Sequence, residues 1–161
     1  MRNERLKNEN NPGYDFGDAA PADAERIWEI RNDPEARRRS NSQEVIPLEK
    51  HLPWFNDKYF SESGNRCFVL RDDKDGRAIG YCRFDKSGHD YAVSIALDSR
   101  YQGKGLGNLL LRDGLEGMNG VPGDILAEIQ KDNAPSLKIF QKNNFEIYKE
   151  DDANYYLRHR K

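Results

Sequence analysis

A mixed α/β domain, one sheet with helices packed on its faces, is the fold class this sequence predicts, and three observations carry it. Strand-like runs at 67–71, 77–84 and 91–97 follow one another across tight turns, the pattern of hairpin-linked strands. From 91 onward, strands alternate with segments whose apolar residues recur at helical spacing, the pattern of β-α-β units. Two further helical patterns precede the hairpins, so the predicted order is β-α-α-β-β-β-α-β-α-β-β.

Each element has a local reason. Residues 1–13 are polar and end in Asn11-Pro12-Gly13, which reads as a flexible N-terminal arm ahead of a single domain at 14–161. Tyr14 to Ala20 is a short strand. Pro21-Ala22-Asp23 opens a helix with Ala24, Ile27 and Trp28 on one face, continued by Arg31, and Asn32-Asp33-Pro34 breaks it. Glu35 to Arg39 reads as one more helical turn and Ser40 to Pro47 as a loop. Leu48, Leu52, Phe55 and Tyr59 mark a second helix to Phe60, with Pro53 inside it predicting a kink or an early start. Asp72 to Gly76 and Lys86 to Gly88 are hairpin turns between the next strands. In 91–97, Tyr91, Val93, Ile95 and Leu97 form a large-residue face and Ala92, Ser94 and Ala96 a small-residue one. Leucines at 106, 109, 110, 111 and 115 predict a helix buried over a wide arc, with Gly114 and Gly117 as points of close packing. A strand at 124–130, a helix capped by Asp132 or Asn133 and running to about 143, and closing strands at 145–149 and 154–158 complete the chain.

Composition narrows the function classes. The 161 residues are 36% hydrophobic and 34% charged, with a mean hydropathy of −1.00 and a net charge of −2. That suits one compact domain and gives no basic field for nucleic acid. No run approaches a membrane span and no signal-peptide pattern opens the chain, so a cytoplasmic protein, monomer or homodimer, is the expectation. Cys67 and Cys82 lie in apolar strands and read as buried reduced thiols rather than a disulfide or a metal site.

The chemistry centres on Arg100 to Gly107, where glycines at 103, 105 and 107 alternate between a strand and a helix. A helix start exposes backbone N–H groups and the positive end of its dipole, and glycine lets a ligand approach the backbone closely, so this junction suits a phosphate or pyrophosphate. It lacks the Walker A spacing and the Gly-x-Gly-x-x-Gly of a dinucleotide loop. The run Gln102-Gly103-Lys104-Gly105-Leu106-Gly107 resembles the acetyl-CoA pyrophosphate loop of the GNAT superfamily of N-acetyltransferases. The downstream segments resemble that family too: the strand Ile125 to Ile129, the helix start Asn133-Ala134-Pro135-Ser136, and Phe140 leading through a turn to Phe145.

The resemblance implies the acyl-CoA N-acyltransferase fold: a central, mostly antiparallel sheet with helices on both faces, whose fourth and fifth strands splay apart. Acetyl-CoA is then the co-substrate, and the domain transfers acetyl directly to a primary amine. The implied cofactor residues are Ile95, Ala96 and Leu97 on one strand edge, Gln102 to Gly107 in the loop, and Asn133, Ser136 and Phe140 from the last helix. Phe140 stands where many relatives carry the tyrosine that protonates the thiolate, which leaves Tyr148, Tyr155, Tyr156 or water for that step. The strand before the loop offers Ser94 but no acid, so His89, Asp90, Glu128 and Glu44 stay open as the base. On the acceptor side, Arg31-Asn32-Asp33-Pro34 and the run from Glu44 through Ile46-Pro47-Leu48 and His51 to Trp54-Phe55 resemble the branch that acetylates nucleotide-linked amino-sugars, of the pseudaminic-acid pathway type. A second branch, acting on protein N-termini or small amines, is also similar. Arg31, Glu44, His51 and Trp54 are the acceptor residues this implies, with Arg37 to Arg39 available for phosphates; Arg83, on a strand, reads either as a further acceptor-pocket residue or as a structural ion-pair partner. A non-catalytic acyl-CoA-binding domain is the remaining reading.

Overall fold

The computed structural model describes residues 6–7, 13–40 and 44–160. Among these residues eight strands form one sheet: β1 (Leu6–Lys7), β2 (Tyr14–Asp18), β3 (Arg66–Asp72), β4 (Ala78–Ser87), β5 (Asp90–Leu97), β6 (Ile125–Gln130), β7 (Phe145–Glu150) and β8 (Asn154–His159). The helices are α1 (Ala24–Arg31), α2 (Pro34–Arg38), α3 (Leu48–Phe60), α4 (Leu106–Gly117) and α5 (Ala134–Lys142). The spatial order is β1-β2-β3-β4-β5-β6-β8-β7, antiparallel throughout except where β5 meets β6. The predicted mostly antiparallel sheet with helices on both faces is therefore the one observed. An added strand precedes the predicted set: Leu6 and Lys7 pair with Phe16 and Asp15, while the rest of the expected N-terminal arm, 1–5 and 8–12, lies outside the described residues. The splayed pair counted fourth and fifth from the sequence is accordingly β5/β6. Among the described residues no helix is long and apolar enough to cross a membrane.

Two apolar cores flank the sheet. On one face, α4 lays Leu106, Leu109, Leu110 and Leu111 against Phe68, Cys82, Phe84 and Val93, and α5 adds Phe140. Gly114 and Gly117 allow the approach, since a Cβ on them would stand 2.6 Å from Cys82 Sγ and 2.7 Å from Phe68 Cζ. On the other face, Ala24, Ile27 and Ile30 of α1 and Phe55 of α3 pack on Cys67, Val69 and Tyr81. Both cysteines are buried and free, as their apolar surroundings predicted, and burial pushes their thiols up.

Helix α3 keeps Phe55 and Tyr59 of its predicted face turned inward and exchanges Leu52 for His51. His51 and Phe55 are its buried residues and Leu52 is exposed. His51 Nε2 meets the carbonyl of Ala24 at 2.8 Å and its ring stacks on Phe55, tying α3 to α1. The sequence motif around α2 folds for equally local reasons. Asn32 clamps the loop through Ile46 with bonds of 2.9 and 3.1 Å, Asp33 caps α2 by accepting from Glu35 N and Ala36 N, and Pro34 takes the first helical position.

Candidate active site

The glycine turn is built from its foundation upward. Asp98 follows β5, and its N–H donates to Ile79 O at 2.7 Å. Its buried carboxylate accepts from Arg100 N at 2.9 Å, from Arg100 Nη2 at 2.8 Å, and from Arg26 on α1. Hydrogen bonds from Arg100 and Arg26 hold that carboxyl well below the usual carboxylate range. Tyr101 Oη donates to Asp72 at 3.0 Å, anchoring the turn to β3. On this base, Gly103 and Gly105 adopt φ of +79° and +76°, and a Cβ on either would point into open space. Gly107 sits instead against α5, where a Cβ would meet Ile139 Cδ1 at 3.0 Å. Gln102, Gly103, Lys104 and Gly105 are exposed, while Leu106 is buried and roots α4 in the core. The free N–H groups of the first α4 turn thus face an open approach, a seat for an anion.

The turn opens onto a wedge in the sheet. Strands β5 and β6 pair only at Tyr91↔Ile125 and Ala92↔Leu126; beyond these residues they share no ladder. Tyr91 N donates toward β6, to Asp124 O, and Asp98 N donates the other way, toward β4. Strand alternation then aims the backbone groups of Ile95 and Leu97 into the wedge and those of Ser94 and Ala96 onto β4. Of the three expected strand-edge residues, Ile95 and Leu97 therefore offer main-chain bonds, and Ala96 places its small side chain on the face covered by α1 and α3. Asn133 caps α5 at the wedge rim, its Oδ1 accepting from Ser136 N at 3.3 Å and from Arg39. Phe140 does not line the wedge as expected. It is buried in the α4 core with its ring 4.9 Å from that of Phe145.

On the face covered by α1 and α3, Arg31, Trp54 and Arg83 come together in one crevice with Ile27, Phe55, Tyr59, Cys67 and Tyr81. The Arg31 and Arg83 guanidinium carbons lie 4.6 and 5.6 Å from the Trp54 ring centre, and Lys58 Nζ lies 5.1 Å from it. One carboxylate serves the group: Asp85 accepts from Tyr59 Oη at 2.6 Å and pairs with Lys58 at 3.3 Å and Arg83 at 3.4 Å. Burial and the Arg83 charge push Arg31 down, whereas Arg83, despite its own burial, is pushed up by Tyr81, Tyr59 and Asp85 around it. Arg31 is thus the cation left short of counter-charge. Two other expected acceptor residues stand apart. His51 is fully buried and bonded to Ala24, and burial pushes its imidazole down. Glu44 is exposed ahead of α3. Arg38 and Arg39 face Glu35, Asp132 and Asn133 rather than the crevice, and Arg37 Nε donates to Asn32 O.

The catalytic candidates divide by position. Ser94 is the register partner of Arg83, so it lies on the face covered by α1 and α3, beside the wedge. Glu128 is on β6, on the face opposite buried Ala127 and Ile129, where its carboxylate accepts from Asn154 Nδ2 at 3.1 Å. Ser94 and Glu128 therefore flank the wedge on one face. His89 does not belong with them. It lies exposed in the β4–β5 turn, six residues from Ile95, about 20 Å along the strand. Asp90 is at that same end, bonded to Asp124 N. Tyr148 sits exposed on the outermost strand, with Arg158 over its ring at 4.9 Å and β8 and β6 between it and the wedge. Tyr155 packs toward the α4 core, while Tyr156, opposite Glu128, donates to Asp151 at 2.7 Å and is pushed up to about 12 by that bond.

Asp98, Arg26, Tyr59 and Asp85 are the site residues that sequence reasoning missed. Asp98-Ser99-Arg100 carries a signal, an Asx turn opening a helical turn, that marks Asp98 as a cap. Tyr59 and Asp85 meet only through the pairing of sheet and helix, which no local pattern records.

Comparison with known proteins adds three findings. The family model for the acetyltransferase (GNAT) domain matches residues 18–146. Acetyltransferase PseH of Campylobacter jejuni is 22% identical over 142 residues, covering 88% of each chain, and YwnH of Bacillus subtilis, provisionally named a phosphinothricin acetyltransferase, is 28% identical over 131 residues, covering 76% of this chain and 78% of its own. The Salmonella typhimurium acetyltransferase yncA, solved with its cofactor acetyl-CoA, superposes with a TM-score of 0.76 at 20% identity over 89% of this chain and 91% of its own.

Proposed function

The chain belongs to the GNAT acetyltransferase family, and from that premise we propose that it is an acetyl-CoA-dependent N-acetyltransferase that moves an acetyl group directly onto a primary amine, on a nucleotide-linked amino-sugar. One observation carries the reading. The wedge that opens beyond Ala92 and Leu126 leads directly to the positive-φ turn at Gly103 and Gly105. A pyrophosphate suits the turn and an extended amide-bearing arm suits the bare edge at Ile95 and Leu97. The residues present fit the group, since no Cβ fills the cradle and the edge groups have no ladder partner.

The chain's own groups supply the chemistry. The Ile95 or Leu97 N–H donates to the thioester carbonyl as negative charge develops on it. Glu128 takes the proton that the acceptor ammonium loses before its neutral amine attacks the thioester. Phe140 has no proton to give, so the thiolate leaves into water. The amino-sugar acceptor rests on the resemblance of Arg31 to Pro34 and of the loop into α3, together with Trp54 as a stacking surface beside two guanidinium groups. A non-catalytic acyl-CoA-binding role is favoured by one feature, the phenylalanine at 140.

Thiol release from acetyl-CoA with a panel of amines tests the proposal. Turnover with a UDP-linked amino-sugar and none with peptides is the expected result. Turnover only with N-terminal peptides overturns the acceptor, and tight acetyl-CoA binding without turnover on any amine overturns catalysis.

A further inference from the structure

The crevice under α1 and α3 is electrostatically unbalanced, and the imbalance is specific. Arg31, Lys58 and Arg83 surround the Trp54 ring, and Asp85 is the carboxylate paired with Lys58 and Arg83. Among the described residues, Arg31 forms no ion pair and no hydrogen bond through its guanidinium; its contact is the ring. Arg83 uses Nη1 on Tyr59 and Asp85, and its Nε is buried with no hydrogen-bond partner. A buried donor left unmade is costly, and a second, half-buried guanidinium beside it adds to that cost unless an anion joins them. The guanidinium edge that holds Nε is the one that takes an oxyanion in paired hydrogen bonds.

We propose that the acceptor amine carries an oxyanion, a phosphate or carboxylate, that seats between Arg31 and Arg83 beside Trp54, and that this seat selects the substrate. The inference rests on the reading of the crevice as the acceptor pocket. Register sets where the amine goes. Arg83 stands opposite Ser94, and the bare edge of β5 begins at the next residue, so the strand that carries the anion seat pairs directly with the strand that offers the thioester edge. The nitrogen and the oxyanion therefore belong to the same compact part of the acceptor. A phosphate on a small amine and the sugar-linked phosphate of a nucleotide both satisfy this.

Calorimetric titration of the full chain with two matched pairs tests it: phosphoethanolamine against ethanolamine, and a UDP-linked amino-sugar against the free amino-sugar. The anionic member of at least one pair is expected to bind about 30-fold or more tightly than its neutral partner, and the favoured pair identifies the source. Arg83→Gln and Arg31→Gln are each expected to erase that preference while acetyl-CoA affinity holds; Arg31, half-buried on α1, is the variant whose melting temperature is also expected to hold, which guards against misfolding in Arg83→Gln, where Asp85 loses a buried partner. Equal binding within both pairs, no binding of either anionic probe, or a preference that survives in both variants overturns the proposal. Because binding is read without turnover, anion binding with no acetyl transfer leaves the seat standing and defeats the enzymatic reading, and turnover of neutral amines alone does the reverse.

Discussion

Replacing Gly105 with glutamate isolates the anion seat from the fold that carries it. Gly105 caps α4 at φ +76° and its absent Cβ faces empty space, so a side chain there clashes with nothing and bears only the left-handed backbone cost, about 1–2 kcal/mol. Against a domain stability of about 5–15 kcal/mol the protein stays folded, with a melting temperature lowered by about 2–8 °C. The carboxylate is another matter, because it stands where a pyrophosphate has to come. Like charges about 4 Å apart at an effective dielectric of about 20 repel by about 4 kcal/mol, close to a thousandfold in affinity. Calorimetry with acetyl-CoA reads that loss, and Gly105→Ala separates the two terms by carrying the backbone strain without the charge. Wild-type affinity in Gly105→Glu, or an equal loss in both variants, refutes the assignment of this turn as the phosphate seat.

The other expectations address the scaffold and the chemistry. Asp98→Asn removes charged hydrogen bonds to Arg26 and Arg100 and is expected to cost about 2 kcal/mol in urea melts at pH 7. Because the folded-state carboxyl titrates below its unfolded value of about 3.9, that contribution is present above it and vanishes as pH falls through the folded value, so wild type and variant should converge in strong acid. Gly114→Ala gains about 1 kcal/mol of helix propensity but drives a methyl to 2.6 Å from Cys82 Sγ, so a net loss of stability in chemical denaturation is expected. Glu128→Gln should lower kcat by about a hundredfold or more with acetyl-CoA affinity unchanged, whereas His89→Ala and Tyr148→Phe should leave both constants as they are; steady-state kinetics on the three variants checks the division.

What was legible in the sequence was what local chemistry determines. Glycines between a strand and a leucine-rich helix announced the positive-φ turn that opens α4, and strand alternation announced which face of β5 is small. The two-residue β1 was not legible, because two residues carry no period. His51 misled because its helix face is set by a bond to Ala24 of α1, a partner distant in sequence. The Arg31 to Pro34 motif looked like an acceptor site, yet three of its four residues cap and clamp α2 and the neighbouring loop, leaving Arg31 to face the crevice. The balance of charge there, three cations around Asp85, emerges only when β4, α1 and α3 are assembled.

The most direct test of the acetyl-CoA site is a backbone amide NMR titration of the protein with acetyl-CoA. The largest shifts are expected at Ile95 and Leu97 on the bare strand edge and at 103–108 around the helix start, with smaller ones at Glu128 and Ser136 across the wedge. Shifts that spare the glycine turn and the β5 edge, or that gather instead on α1 and α3, contradict it.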